Sequence, residues 1–156
     1  YASLPVMASP AREVWGDLAT TAFVEASLVF RSLDPDARAD LLKVARAVTW
    51  EAGEVVSPEG DDQQLLLVLD GAGSVRVGSS SGPVELAHLE RGGFHGAGAL
   101  LGSGRAWSLV ARTELTAVVF PLPVVALLLE NFPKAKKLLE ALGAAREKEA
   151  AEKLGG

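Results

Sequence analysis

Apolar positions along the chain keep one period, lose it, and then regain it. Over residues 11–48 they recur at helical spacing. Pro10 followed by Ala11, Arg12 and Glu13 predicts a helix start, and Val14, Leu18, Ala22 and Val24 continue the pattern. Asp34-Pro35-Asp36 supplies a capping carboxylate with proline in the first turn. A second helix is therefore predicted over Ala37–Ala47, with Leu41, Leu42, Val44 and Ala45 on its apolar face.

Over residues 48–120 short β-type runs replace the helical period: Val55-Val56, Leu65–Leu69, Val75–Val77, Val84–Leu89, Trp107–Ala111 and Leu115–Phe120. Gly-bearing turns part them at Ala52-Gly53, Glu59-Gly60-Asp61, Asp70-Gly71, Gly78–Gly82 and Arg91-Gly92-Gly93. Turns so closely spaced predict an antiparallel β-roll or jelly roll, with Ser79-Ser80-Ser81-Gly82 as a hairpin tip. Over residues 123–154 the helical period returns. Val124–Phe132 reads as a short apolar helix, which Pro133 ends while opening a longer charged helix to Leu154. Leu138, Leu139, Leu142 and Ala145 form its apolar stripe, and its polar last turns, Arg146–Lys153, weigh against a long coiled coil. The predicted class is α+β, an antiparallel roll flanked by helices at both ends of the sequence.

Composition narrows the chemistry. The 156 residues fit one domain spanning 1–156, and a hydrophobic fraction of 49% excludes a disordered chain. With no cysteine there is no disulfide scaffold, thiolate metal site or catalytic thiol. Every apolar run falls far short of the ~20 residues that a membrane-spanning helix needs. The chain opens on Tyr1 without a visible signal peptide, which predicts a processed product or an excised domain. A net charge of −5 argues against a general nucleic-acid surface. Within it, residues 1–133 carry 9 basic and 16 acidic side chains, and 134–156 carry 6 and 4. The basic tail reads as a solvated helix face.

Catalytic patterns are missing. His88 and His95 stand on a strand and in a loop with no His-x-His pair, so no metal site is expected. Gly102-Ser103-Gly104 is a turn rather than a nucleophile elbow, and no Gly-Lys-Ser/Thr follows the glycine-rich run. An enzyme is not expected, and no catalytic residue is assigned.

The glycine-framed segments nevertheless carry a resemblance. Ala52-Gly53-Glu54-Val55-Val56-Ser57-Pro58-Glu59-Gly60-Asp61 resembles the opening of a cyclic-nucleotide-binding domain, of the kind found in catabolite-activator-like proteins. Leu66–Val77, with Asp70-Gly71 before Val75-Arg76-Val77, looks like the strand, turn and strand that follow in that family. Gly92-Gly93-Phe94-His95-Gly96 through Arg105-Ala106-Trp107-Ser108-Leu109-Val110-Ala111 is similar to its phosphate-binding cassette, and Phe120–Pro133 to its hinge helix. Phe23–Phe30 and Leu33–Val48 match its N-terminal helices, so the likeness covers roughly residues 20–145.

The resemblance implies a cytoplasmic regulatory sensor for cyclic AMP, cyclic GMP or another small anionic ligand. Its expected ligand-binding residues are Gly96, Ala97, Gly98, Arg105, Ala106 and Ser108. Arg105 offers planar, permanently charged donors to the phosphate, Gly96 and Gly98 let backbone N–H groups approach it, and Ser108 adds a hydroxyl. Members that bind cyclic nucleotides place a glutamate before the cassette's short helix, where it accepts from the ribose 2′-hydroxyl. Here the aligned position is Gly96 or Ala97, and no acidic residue lies between Glu90 and Glu114. Losing such a bond costs about 1.5–3 kcal/mol, roughly ten- to hundredfold in affinity. Gly104 stands where proline is usual, and bulky Trp107 where a small residue is common.

Two functions are open at this point. One is a ligand sensor that passes its signal to the C-terminal helices. The other is a degenerate, non-binding member serving as a protein-interaction or homodimerisation module. In either case an output domain outside these residues is a candidate partner. The chain ends at Gly155-Gly156 without room for a helix-turn-helix, so DNA binding by these residues is not expected.

Overall fold

The computed structural model of the protein describes residues 11–58, 64–97 and 107–155. Where a helix start was predicted, the chain enters through a strand. β1 (Arg12–Glu13) pairs antiparallel with Ala47 and Arg46. The cap explains the difference, because the Asp17 carboxylate accepts from Thr20 N at 3.3 Å and starts α1 (Leu18–Glu25) after Val14 has been buried. Val14 thus lies outside the helix that Leu18 opens, and Leu18 is 83% exposed.

A short α2 (Leu28–Arg31) precedes α3 (Pro35–Val44), where the Asp34 carboxylate accepts from Ala37 N at 2.8 Å. The helix stops before the predicted Ala47. Ala45 is already extended at ψ 151°, and Arg46 and Ala47 open β2 (Arg46–Trp50), a five-residue ladder against Val119–Leu115. The sheet pairing outweighs continuation of the helix.

Six of the remaining strands follow the predicted runs: β3 (Val55–Ser57), β4 (Gln64–Asp70), β5 (Gly73–Ser79), β6 (Gly82–Leu89), β8 (Ser108–Ala111) and β9 (Leu115–Pro121), while β7 (Phe94–His95) forms where a loop was expected. Ser79 pairs with Gly82, so the expected hairpin tip joins β5 to β6. One antiparallel sheet has the order β1-β2-β9-β4-β7 and the other β3-β8-β5-β6.

β4 is apolar over Leu65–Leu69, and β9 is apolar apart from Thr116, because both faces of these strands are covered. Leu65, Leu67 and Leu69 of β4, with Val118 and Phe120 of β9, face the helices beside Phe30, Leu41 and Leu139. Leu66, Val68, Leu115 and Ala117 point the other way, into a second core shared with Val75, Val77, Leu86 and Leu109 of the opposing sheet. The first sheet therefore parts a helix-side core from an inter-sheet core.

The chain leaves through α4 (Leu122–Leu129) and α5 (Pro133–Gly155). On α5 the buried line runs through Ala135, Leu139 and Gly143, while Leu142 and Ala145 of the predicted stripe are exposed. Small residues four positions either side of Leu139 let that line approach the core more closely than the leucine line does. The predicted β-roll with flanking helices is the fold observed.

Candidate functional site

The cassette resemblance begins where β7 leaves β4. Leu66 pairs with His95 and Leu67 with Phe94, while Gly92 N and Gly93 O bond the backbone of Val68 at 2.9 Å each. Gly96 follows at φ +104°, in the left-handed region. A β-carbon there would run into the Gln64 carbonyl oxygen and lie 3.4 Å from the Leu65 Cα. Both conformation and space require glycine. Ala97, 5% exposed, is buried in the helix-side core.

The other end of the segment is tied to the opposite sheet. Trp107 is 5% exposed within the inter-sheet core, so its indole fills space between the sheets. Ser108 pairs with Arg76 on β5, and its hydroxyl donates to the Arg76 carbonyl at 3.1 Å. The donor expected to face a ligand is thus engaged within the sheet. Gly98, Arg105 and Ala106 lie outside the described residues, as does the predicted short helix beyond Ala97.

Arg91 and Arg112, which flank this segment, are held on different sides of the fold. Arg91 Nη1 donates to the Leu69 carbonyl at 2.8 Å, and its guanidinium carbon stands 4.2 Å from the Phe23 ring centroid. Arg112 Nη1 meets His88 Nδ1 at 2.6 Å on the second sheet, and His88 Nε2 meets Glu85 Oε1 at 2.7 Å.

Glu85 also accepts a short hydrogen bond from the Ser74 hydroxyl, on which Arg76 Nε converges at 3.0 Å. The Ser74 bond, reinforced by His88 and Arg112, holds the Glu85 carboxyl below its ordinary pKa. Motif reading missed this polar cluster. Its signal was the alternation Ser74-Val75-Arg76-Val77, which puts Val75 and Val77 in the inter-sheet core and Ser74 and Arg76 on the other face of β5, where Ser74 is still buried.

Among the described residues no three His, Cys, Asp or Glu side chains come together to hold a metal, and no helix is long and apolar enough to cross a membrane. His95, expected in a turn, is on β7 and buried.

The family model described as the cyclic nucleotide-binding domain matches residues 47–132. No curated protein matches the chain. Among solved structures, the sensor domain of the transcriptional regulator DNR from Pseudomonas aeruginosa is similar with TM-score 0.72 and 12% identity, over 89% of this chain and 95% of that one. The N-terminal domain of a transcriptional regulator from Streptomyces coelicolor aligns with TM-score 0.59 and 22% identity, over 83% and 93%. The regulatory subunit of a cAMP-independent protein kinase A from Trypanosoma brucei gives TM-score 0.68 and 15% identity over 83% of this chain. The chain spans 49% of that subunit's length.

Proposed function

The chain belongs to the cyclic nucleotide-binding domain family, and we propose that it serves there as a regulatory sensor, taking an anionic, phosphate-bearing ligand at the segment 96–108. Arg105 is the ligand's charge partner in this reading, with backbone N–H groups of Gly96, Ala97 and Gly98 beside it.

The observation that carries the proposal is the anchoring of the segment's two ends. Gly96 is pinned against β4 of one sheet and Ser108 against β5 of the other. A ligand bridging the span between them would couple the two sheets, and through β9 it would reach α4 and α5. Signal output requires that the ligand favour one arrangement of those helices, because equal affinity for two arrangements shifts neither.

The absence of an acidic residue between Glu90 and Glu114 shapes the expected preference. Without a carboxylate for the ribose 2′-hydroxyl, recognition rests on the phosphate, and discrimination between bases and sugars is weak. Calorimetric titration of cyclic AMP, cyclic GMP and cyclic dinucleotides tests this, on the natural sequence and on Arg105→Ala. Saturable binding that weakens at least about tenfold in Arg105→Ala is expected, as for a lost charge-assisted hydrogen bond. No binding below millimolar concentration refutes the sensor reading, and undiminished binding by Arg105→Ala refutes the role given to that residue.

A further inference from the structure

A second candidate site lies on the helix side of the first sheet. Phe23 and Leu28 from the N-terminal helices, Leu67 and Phe94 from β4 and β7, and Leu138 and Leu142 from α5 line a concave apolar groove of about 480 Å³. That volume is within the roughly 300–1,000 Å³ typical of small-molecule sites. Leu67 faces this groove while its neighbour Leu66 faces the inter-sheet core, so β4 separates the groove from the space between the sheets. Two of its walls remain open to water, with Leu28 60% and Leu142 45% exposed.

One cation stands at the rim. Arg91 adjoins Gly92 of the groove lining, and its guanidinium lies over Phe23. The bond to the Leu69 carbonyl uses one of its five N–H donors, and no carboxylate pairs with it among the described residues. The side chain is exposed, yet its position is held by that carbonyl and by the ring. It is thereby ready for the planar, two-pronged contact that a carboxylate makes. At the far side, Lys134 and Lys137 line a cleft that shares Leu138 with the groove, which extends the positive surroundings.

We propose that this groove binds a single-chain amphiphilic carboxylate, its hydrocarbon chain along Leu28, Leu138 and Leu142 and its head group on Arg91. The charge at the rim and the apolar lining match that class better than a neutral lipid or a cationic amphiphile. Because α5 forms one wall and the N-terminal helices the other, an occupant braces α5 against α2. This reading stands independently of the cassette proposal.

The test is calorimetric titration of hexanoate, octanoate and decanoate, kept below micelle formation, into the full chain, with 1-decanol as the neutral probe. Saturable one-to-one binding is expected, tightening roughly fourfold per methylene as about 0.8 kcal/mol per buried CH₂ requires. Arg91→Gln should weaken decanoate about tenfold, equivalent to about 1.4 kcal/mol, and leave 1-decanol unchanged. Leu142→Gln should weaken both probes, with thermal melts showing that the fold of each variant is retained. The proposal is overturned by non-saturable uptake, by decanol binding as tightly as decanoate, or by an Arg91→Gln variant that binds decanoate normally. It is also overturned if sedimentation reveals a dimer that excludes decanoate and dissociates in Leu142→Gln, since a second copy would then be the occupant.

Discussion

Replacing Gly96 by alanine perturbs the entry of the cassette in two separable ways. The first is conformational: φ is +104°, and an L side chain in the left-handed region costs about 1–2 kcal/mol. The second is steric, because the added carbon meets the Gln64 carbonyl oxygen, which is backbone in a strand paired with β9. That oxygen cannot swing aside like a side-chain terminus, so β4 and β7 must separate, an overpacking cost of about 1–3 kcal/mol. The sum is about 2–5 kcal/mol, which for a domain of this size lowers Tm by roughly 4–20 °C. Gly92→Ala is the internal control. Its φ is +89° with nothing within 4 Å of the added carbon, so only the conformational cost applies, and Tm falls by roughly 2–8 °C. Urea titration of both variants, with unchanged m-values, reports the difference directly. If the two variants lose equal stability, the close approach of β7 to Gln64 is wrong, and with it the anchoring on which the sensor proposal rests.

Phe30→Ala probes the helix-side core: Phe30 is 2% exposed, with its ring centroid 5.2 Å from that of Phe120. A loss of about 3–5 kcal/mol is expected in denaturant titration, and a loss below ~1 kcal/mol would show that the helices do not pack there. Glu85→Gln probes the polar cluster through pH. The folded pKa of Glu85 is depressed, so its contribution is fully present above the ordinary value of 4.5 and is lost as pH falls through the folded pKa. The stability gap between the natural protein and Glu85→Gln should therefore narrow on acidification below that value, and a gap independent of pH would contradict the Ser74, His88 and Arg112 contacts.

The roll was legible because its signal is doubly encoded. Leu65–Leu69 and Leu115–Phe120 are apolar runs too short for buried helices, and each is bounded by turn residues. The N-terminal boundary was less legible, because Val14 and Leu18 are four apart whether or not a helix joins them. Periodicity cannot distinguish that spacing from a strand that meets a cap, and the choice depends on β2, more than thirty residues away. The α5 stripe failed for a related reason. Hydrophobicity favours Leu138 and Leu142, whereas burial follows Ala135, Leu139 and Gly143, where smallness rather than apolarity permits close approach.

Charge shows the same limit at the site. From Arg91 to Arg112 the sequence carries three arginines and no carboxylate, which in one dimension reads as a single attraction for an anion. In three dimensions β7 and β8 belong to different sheets, and Arg91 and Arg112 are held apart from each other. Arg91 turns to the helix side and contacts Phe23, while Arg112 turns to the outer face of the second sheet and is engaged by His88 and Glu85. Neither of these arginines is set beside the other, so the cassette proposal rests its charge on Arg105, and Arg91 is available to a different anion on the helix side of β4. Loss of cyclic-nucleotide binding in Arg105→Ala with decanoate binding intact, and the reverse in Arg91→Gln, is the pattern that two separated sites require.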